Sequence, residues 1–129
     1  MIKKISKKEI IILSILLIDD DQDVNITLKK ILEEKGYNIL AFSNPIEALK
    51  SFRKNFYNVI ILDIKMPQMN GFEFYNKVRE IDDKSKICFL TAGEPSTYNY
   101  FETMNKYIYI KKPIENEELL KAISNIIES

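Results

Sequence analysis

The sequence predicts an α/β domain, a doubly wound five-stranded parallel sheet with helices on both faces. Three observations carry this. Short apolar runs alternate with segments of helical spacing along the chain, the pattern of parallel strands joined by helical crossovers. One of those runs, Val59-Ile60-Ile61-Leu62, shows no polar alternation and reads as a strand buried on both faces. That run delivers a carboxylate, Asp63, into a loop closed by Pro67 and Gly71. A charge ends a buried strand cheaply only at the sheet rim, where open α/β sheets bind ligands.

The elements follow in order. Ile12 to Ile18 is strand-like, and Asp19-Asp20-Asp21 marks its carboxyl end. Val24, Leu28, Ile31 and Leu32 after Asp23 have helical spacing, with Gly36 as a stop. Tyr37 to Phe42 is a short second strand. Asn44-Pro45-Ile46-Glu47 opens a helix with an Asn cap, Pro at the first position and an acid at the third, and Ala48, Leu49 and Phe52 form its buried stripe. Tyr57 to Leu62 is the third strand. Asn70 and Gly71 then lead into a helix with Phe74, Tyr75, Val78 and Ile81 inward. Ile87 to Leu90 is a fourth strand ending in Thr91-Ala92-Gly93. From Glu94 to Lys106, Pro95 marks a helix start, and Tyr98, Phe101 and Met104 recur at a loose helical spacing. Tyr107 to Ile110 is a fifth strand, followed by Lys111-Lys112-Pro113. The last helix gathers Glu115, Glu117 and Glu118 near its first turn, where the helix dipole favours acids, and buries Leu119, Ile123, Ile126 and Ile127.

A chain of 129 residues, 46% hydrophobic and 29% charged, has the size and composition of one globular domain, here residues 1–129 with a core from about 12 to 127. Nineteen basic and nineteen acidic residues cancel, so no overall field favours nucleic acid, and direct nucleic-acid binding is not expected. The lone cysteine, Cys88, lies in an apolar run and has no internal partner, which suits a small buried hydrophobe in a reducing cytoplasm. With no histidine in the chain, histidine metal ligands, histidine bases and phosphohistidine are excluded here. Lys3, Lys4, Lys7 and Lys8 before an apolar run resemble the start of a signal peptide. The run nevertheless ends in three aspartates, offers no small-residue cleavage site and is too short to cross a bilayer. The expectation is a basic lead-in over residues 1–9, a first strand, and no membrane association.

In a parallel sheet all carboxyl ends lie on one edge. Asp19, Asp20, Asp21, Asp63, Thr91 and Lys112 therefore converge although they are far apart in sequence. Carboxylates sharing a small space repel and hold protons unless a cation is present. An oxygen-only ligand set suits a hard cation, and Mg²⁺ (or Mn²⁺) needs few protein carboxylates beside its waters. A lysine and a hydroxyl next to such a site supply what a phosphoryl group needs, so an aspartate here can accept one.

Ile18-Asp19-Asp20-Asp21, Leu62-Asp63-Ile64-Lys65-Met66-Pro67, Asn70-Gly71, Leu90-Thr91-Ala92 and Lys112-Pro113 together resemble the receiver domain of two-component response regulators, from about Ile12 to Ile127. The resemblance implies a flavodoxin-like strand order of 2-1-3-4-5. It makes Asp63 the phosphoacceptor, attacking a phosphohistidine on a histidine kinase or phosphotransfer protein. It makes Asp20 a direct Mg²⁺ ligand, Asp19 one acting mainly through water, and Asp63 and the Lys65 backbone carbonyl the other protein ligands. Lys112 would pair with the carboxylate or phosphoryl oxygen, across a cis Lys112–Pro113 peptide. Thr91 and Tyr109 would be the switch pair, the hydroxyl turning to the phosphoryl group and the ring following inward. Asp21 stands where the family often has Glu. A stand-alone receiver of the chemotaxis-regulator kind is implied, monomeric or dimerising on phosphorylation. It would signal to a downstream protein through the fourth helix, fifth strand and last helix, with Lys65 and Gly93 placed to influence hydrolysis of the acyl phosphate.

Taken singly, most of these residues have plainer explanations: a helix-entry acidic cluster for Asp19 to Asp21, a strand-end hydroxyl for Thr91, core for Tyr109, solvated charge for Lys111 and Lys112. Jointly they favour the phosphoacceptor. Two other classes stay open. One is a binding module that keeps the fold without using the phosphate. The other is an Mg²⁺-dependent phosphohydrolase of the haloacid-dehalogenase type, which needs an acid where this chain has Lys65. The sequence departs from the family before the fifth strand, where Asn105-Lys106 replaces the usual Gly-Ala and Tyr98, Tyr100 and Phe101 crowd one segment, as packing or as a partner surface.

Overall fold

The computed structural model describes residues 2–4, 10–93 and 107–129, with side chains from residue 11 onward. The helical spacing expected over Glu94–Lys106 lies outside the described residues.

Five parallel strands form the sheet: β3 (Ser14–Ile18), β4 (Asn38–Phe42), β5 (Val59–Asp63), β6 (Lys86–Thr91) and β7 (Tyr107–Lys111), in the order β4-β3-β5-β6-β7. Counting only these five, the order is 2-1-3-4-5, as the family resemblance implies. The alternation of side chains along each strand divides the core in two. Ile15, Leu17, Val59, Ile61, Cys88 and Leu90 face one side, with Leu28 and Leu32 of α1 (Gln22–Glu34) and Leu119 and Ile123 of the last helix, α4 (Asn116–Glu128). Leu16, Ile18, Ile60, Leu62, Ile87 and Phe89 face the other, with Ala48 of α2 (Pro45–Lys50) and Phe74 and Val78 of α3 (Gly71–Ile81). Every position of β3 and β5 is buried, which is why neither shows polar alternation in sequence.

The helix starts are set by local chemistry. Asn44 caps α2 with Pro45 inside it and Glu47 in its first turn, as expected. Asn70 and Glu73 close a reciprocal capping box on α3. The cap of α1 is Asp21, whose carboxylate accepts from the N–H groups of Asp23 and Val24, so the helix begins two residues earlier than Asp23 suggests.

Three expectations need correction. The apolar run from Ile10 is two elements, not one: β2 (Ile10–Ile12) pairs antiparallel with β1 (Ile2–Lys4), and only Ser14–Ile18 joins the main sheet. Of the residues expected to form a basic lead-in, Ile2–Lys4 form a strand. Ile81 is 40% exposed rather than inward, as the last residue of α3. Leu49, Phe52, Tyr75 and Ile127 pack against the core only partly buried. Among the described residues no helix is long and apolar enough to cross a membrane.

Candidate functional site

The site forms where β3, β5, β6 and β7 end along one edge of the sheet. Ile64 N–H donates to Leu90 O at 3.1 Å and Lys112 N–H to Thr91 O at 2.8 Å, so the ladder extends just past the strand ends and holds their side chains in a row. Behind β5, the chain turns through Ile64 and Met66, both buried, and returns at Gly71, whose N–H donates to Ile64 O at 2.7 Å. A Cβ on Gly71 would lie 2.5 Å from the carbonyl oxygen of Asp63 and 3.0 Å from Cα of Ile64. Only glycine lets the loop close this tightly against the backbone that carries the acid.

Asp19, Asp20 and Asp63 each direct a carboxylate oxygen into one cluster, with those oxygens within 4.8 Å of one another. Asp19 and Asp63 are buried and Asp20 is exposed. Asp19 Oδ1 accepts from the N–H of Asp21 at 2.9 Å, while Oδ2 lies 2.9 Å from Lys112 Nζ as an ion pair without an aligned hydrogen bond. Lys112 Nζ also reaches Asp63 Oδ1 at 3.4 Å. Burial raises the Asp63 carboxyl pKa to about 7; the charge of Asp19 adds to the effect and Lys112 opposes it. Burial works to lower the Lys112 pKa, but Asp19 and Asp63 outweigh it, so the ammonium stays charged with its pKa raised.

Asp20, Asp21, Asp63, Lys65, Thr91 and Lys112 line one cleft of about 290 Å³. Thr91 is buried, and its hydroxyl donates to Gly93 O and accepts from Gly93 N–H, each at 3.1 Å. The Lys112–Pro113 peptide is cis. Tyr109 is 45% exposed on β7. A larger cleft of about 550 Å³ between β7 and α4 has Tyr107, Ile108, Ala122 and Ile126 among its walls. Its lysine, Lys86, donates to Ile126 O at 2.7 Å. Among the described residues that line the larger cleft none is acidic, whereas the smaller one is lined by Asp20, Asp21 and Asp63.

Sequence reasoning missed Asn25, a buried amide in the first turns of α1 that touches the Asp19 backbone. Its signal was weak, because a polar residue in a helix ordinarily reads as solvent-facing.

The fold and the site define a doubly wound α/β domain with a rim cluster of aspartates able to hold a hard cation and a lysine against the central acid. The chain belongs to the response regulator receiver domain family, whose model matches residues 15–124. It is 33% identical over 117 residues to the probable transcriptional regulator ycf29 of Porphyra purpurea, covering 88% of this chain and 56% of that protein. It is 25% identical over 114 residues to sporulation initiation phosphotransferase F of Bacillus subtilis (strain 168), covering 88% of this chain and 92% of that one. The chain thus spans little more than half of the first of these relatives and nearly all of the second. Among solved structures, the Vibrio cholerae chemotaxis protein CheY4 superimposes with a TM-score of 0.79 at 27% identity, covering 90% of this chain and 99% of that one. The matched residues are a receiver domain, a signalling module.

Proposed function

We propose that this receiver accepts a phosphoryl group on Asp63 from a phosphohistidine on a histidine kinase or phosphotransfer protein. The carrying observation is the placement of Asp63 at the end of β5, in a cluster with Asp19 and Asp20 and 3.4 Å from the Lys112 ammonium. An Asp63 oxygen attacks phosphorus, the P–N bond of the donor breaks, and the donor nitrogen keeps the electron pair. Lys112 is placed to neutralise charge on Asp63 and on the incoming oxygens. The buried Thr91 exchanges its contacts with Gly93 for a phosphoryl oxygen, and Tyr109 follows it inward. Phosphorylation adds on the order of two negative charges, which is what biases this two-state element.

The donor set fits a hard divalent cation: the clustered side-chain oxygens are all carboxylate, and Asp19 Oδ2 has no aligned hydrogen bond. Asp19, Asp20, Asp63 and the Lys65 carbonyl would hold Mg²⁺ (or Mn²⁺), which when bound supplies positive charge against the phosphoryl oxygens. The reading extends to a cytoplasmic protein that catalyses its own phosphotransfer and dephosphorylation and passes the signal to a downstream protein through the face containing β7 and α4. Water attack on the acyl phosphate resets it.

Two measurements test this. Incubation with Mg²⁺ and acetyl phosphate should give one phosphoryl adduct by intact mass, absent in Asp63→Asn. An unmodified parent that nonetheless binds Mg²⁺ would defeat the proposal. Mg²⁺ affinity should also fall as pH drops below about 7, by up to about tenfold per unit, because the ion must displace the Asp63 proton. The same group sets the sign of metal-free stability. Between about 4 and 7 the folded state holds a proton that the unfolded chain has released, so this contribution makes stability fall as pH rises through that window and level off above it. Denaturant titrations without metal should show this slope in the parent and its loss in Asp63→Asn. An equal slope in both would refute the assignment.

A further inference from the structure

We infer that Asn25 is a positioning residue for the cation cluster, an inference that rests on the function proposed above. Its side chain is 6% exposed, in a helical position where asparagine is intrinsically unfavourable. Both donors of its amide are used on strand ends. Nδ2 donates to Asp19 O at 2.8 Å and to Phe42 O at 3.1 Å. Phe42 O also accepts from Asp19 N–H at 3.2 Å. The amide therefore clips together the carboxyl ends of the neighbouring strands β3 and β4 beside the bond from Asp19 N–H to Phe42 O, and ties both to α1.

The consequence falls on Asp19. Its N–H goes to Phe42, its carbonyl to Asn25, and its Oδ1 to the N–H of Asp21, so its backbone and one carboxylate oxygen are fixed before Lys112 or a cation engages the other. Asn25 is the one side chain in that set, since the rest is backbone. Asn25 Oδ1 is itself buried without a hydrogen-bond partner. Retaining a buried polar atom at that cost makes sense if the donor half of the amide is needed at the strand ends. A leucine of similar volume would spare the orphan oxygen but take the amide donor from Asp19 O and leave Phe42 O with the Asp19 N–H alone. Residues that orient ligands in this way typically change metal affinity 10–100-fold when removed.

The test uses Mg²⁺ alone, titrated by calorimetry at pH 8 into the parent, Asn25→Leu, Asn25→Ser and, as a control for destabilisation, Asp82→Ala. Asp82 anchors a network at the opposite edge of the sheet, accepting from the N–H groups of Asn55 and Lys84. Both Asn25 variants should weaken Mg²⁺ binding at least about tenfold, while Asp82→Ala lowers Tm and leaves the affinity within twofold of the parent. If Asn25→Leu does not fold, Asn25→Ser, which creates space rather than filling it, decides the question. A folded Asn25 variant with parental affinity, or a loss that Asp82→Ala reproduces at equal Tm, would overturn the inference. A second readout needs no metal: the Asn25 side-chain amide protons should exchange slowly by NMR, and free exchange would also overturn it. A parent that shows slow exchange but no Mg²⁺ binding would defeat the proposed function, and the positioning role with it. Parental Mg²⁺ binding with unchanged Asn25 variants would defeat the positioning role alone.

Discussion

Replacing Gly71 by alanine should lower Tm by on the order of 5–10 °C and slow acetyl phosphate labelling about 10²-fold. The alanine methyl would start 2.5 Å from the Asp63 carbonyl oxygen, and the opposing atoms are backbone, which cannot rotate aside as a side chain would. Either the loop opens and gives up the 2.7 Å bond from Gly71 N–H to Ile64 O, or the end of β5 moves. Both outcomes displace the carboxylate. Thermal melts and labelling time courses on the same preparation check this. A variant that melts lower but labels at the parental rate would show that the close approach serves the fold and not the site.

Lys112→Met should separate two properties that a general loss of structure would lower together. The methionine keeps most of the stem and removes the ammonium. Acetyl phosphate labelling should fall about 10²–10³-fold, the usual effect of removing one preorganised charge stabiliser. Mg²⁺ affinity should hold or rise, because a cation paired with both Asp19 and Asp63 no longer competes for their oxygens. Without metal, the Asp63 carboxyl should keep its proton to higher pH than in the parent, since Lys112 works to lower its pKa. Calorimetric titration and labelling rates read the two effects independently. Mg²⁺ binding that collapses along with labelling would mean that Lys112 chiefly holds the site together.

Much of this site was legible in the sequence because a parallel sheet converts sequence position into spatial position. Once Val59–Leu62 reads as a strand buried on both faces, the residues ending each strand must share an edge, and Asp19, Asp20, Asp63, Thr91 and Lys112 fall together without further assumption. The helix starts at Asn44 and Asn70 were equally local, since a cap needs only its own first turn. What escaped the sequence depends on contacts distant in the chain. Ile12 to Ile18 reads as one strand, and only the pairing of Ile10–Ile12 with Ile2–Lys4 separates Ile12 from the main-sheet strand Ser14–Ile18. Ile81 has helical spacing but ends α3 and is 40% exposed. Asn25 serves two carbonyls contributed by two strands, and Gly71 is defined by its approach to Asp63; neither shows in a hydropathy pattern.

The most direct test of the central claim is to locate the phosphoryl group. Protein labelled with acetyl phosphate and Mg²⁺, reduced with borohydride and digested, should carry homoserine in place of aspartate at Asp63 and nowhere else, because only an acyl phosphate is reduced in this way. Reduction at Asp19 or Asp20, or a phosphoryl group that resists borohydride on a serine or threonine, would contradict the assignment.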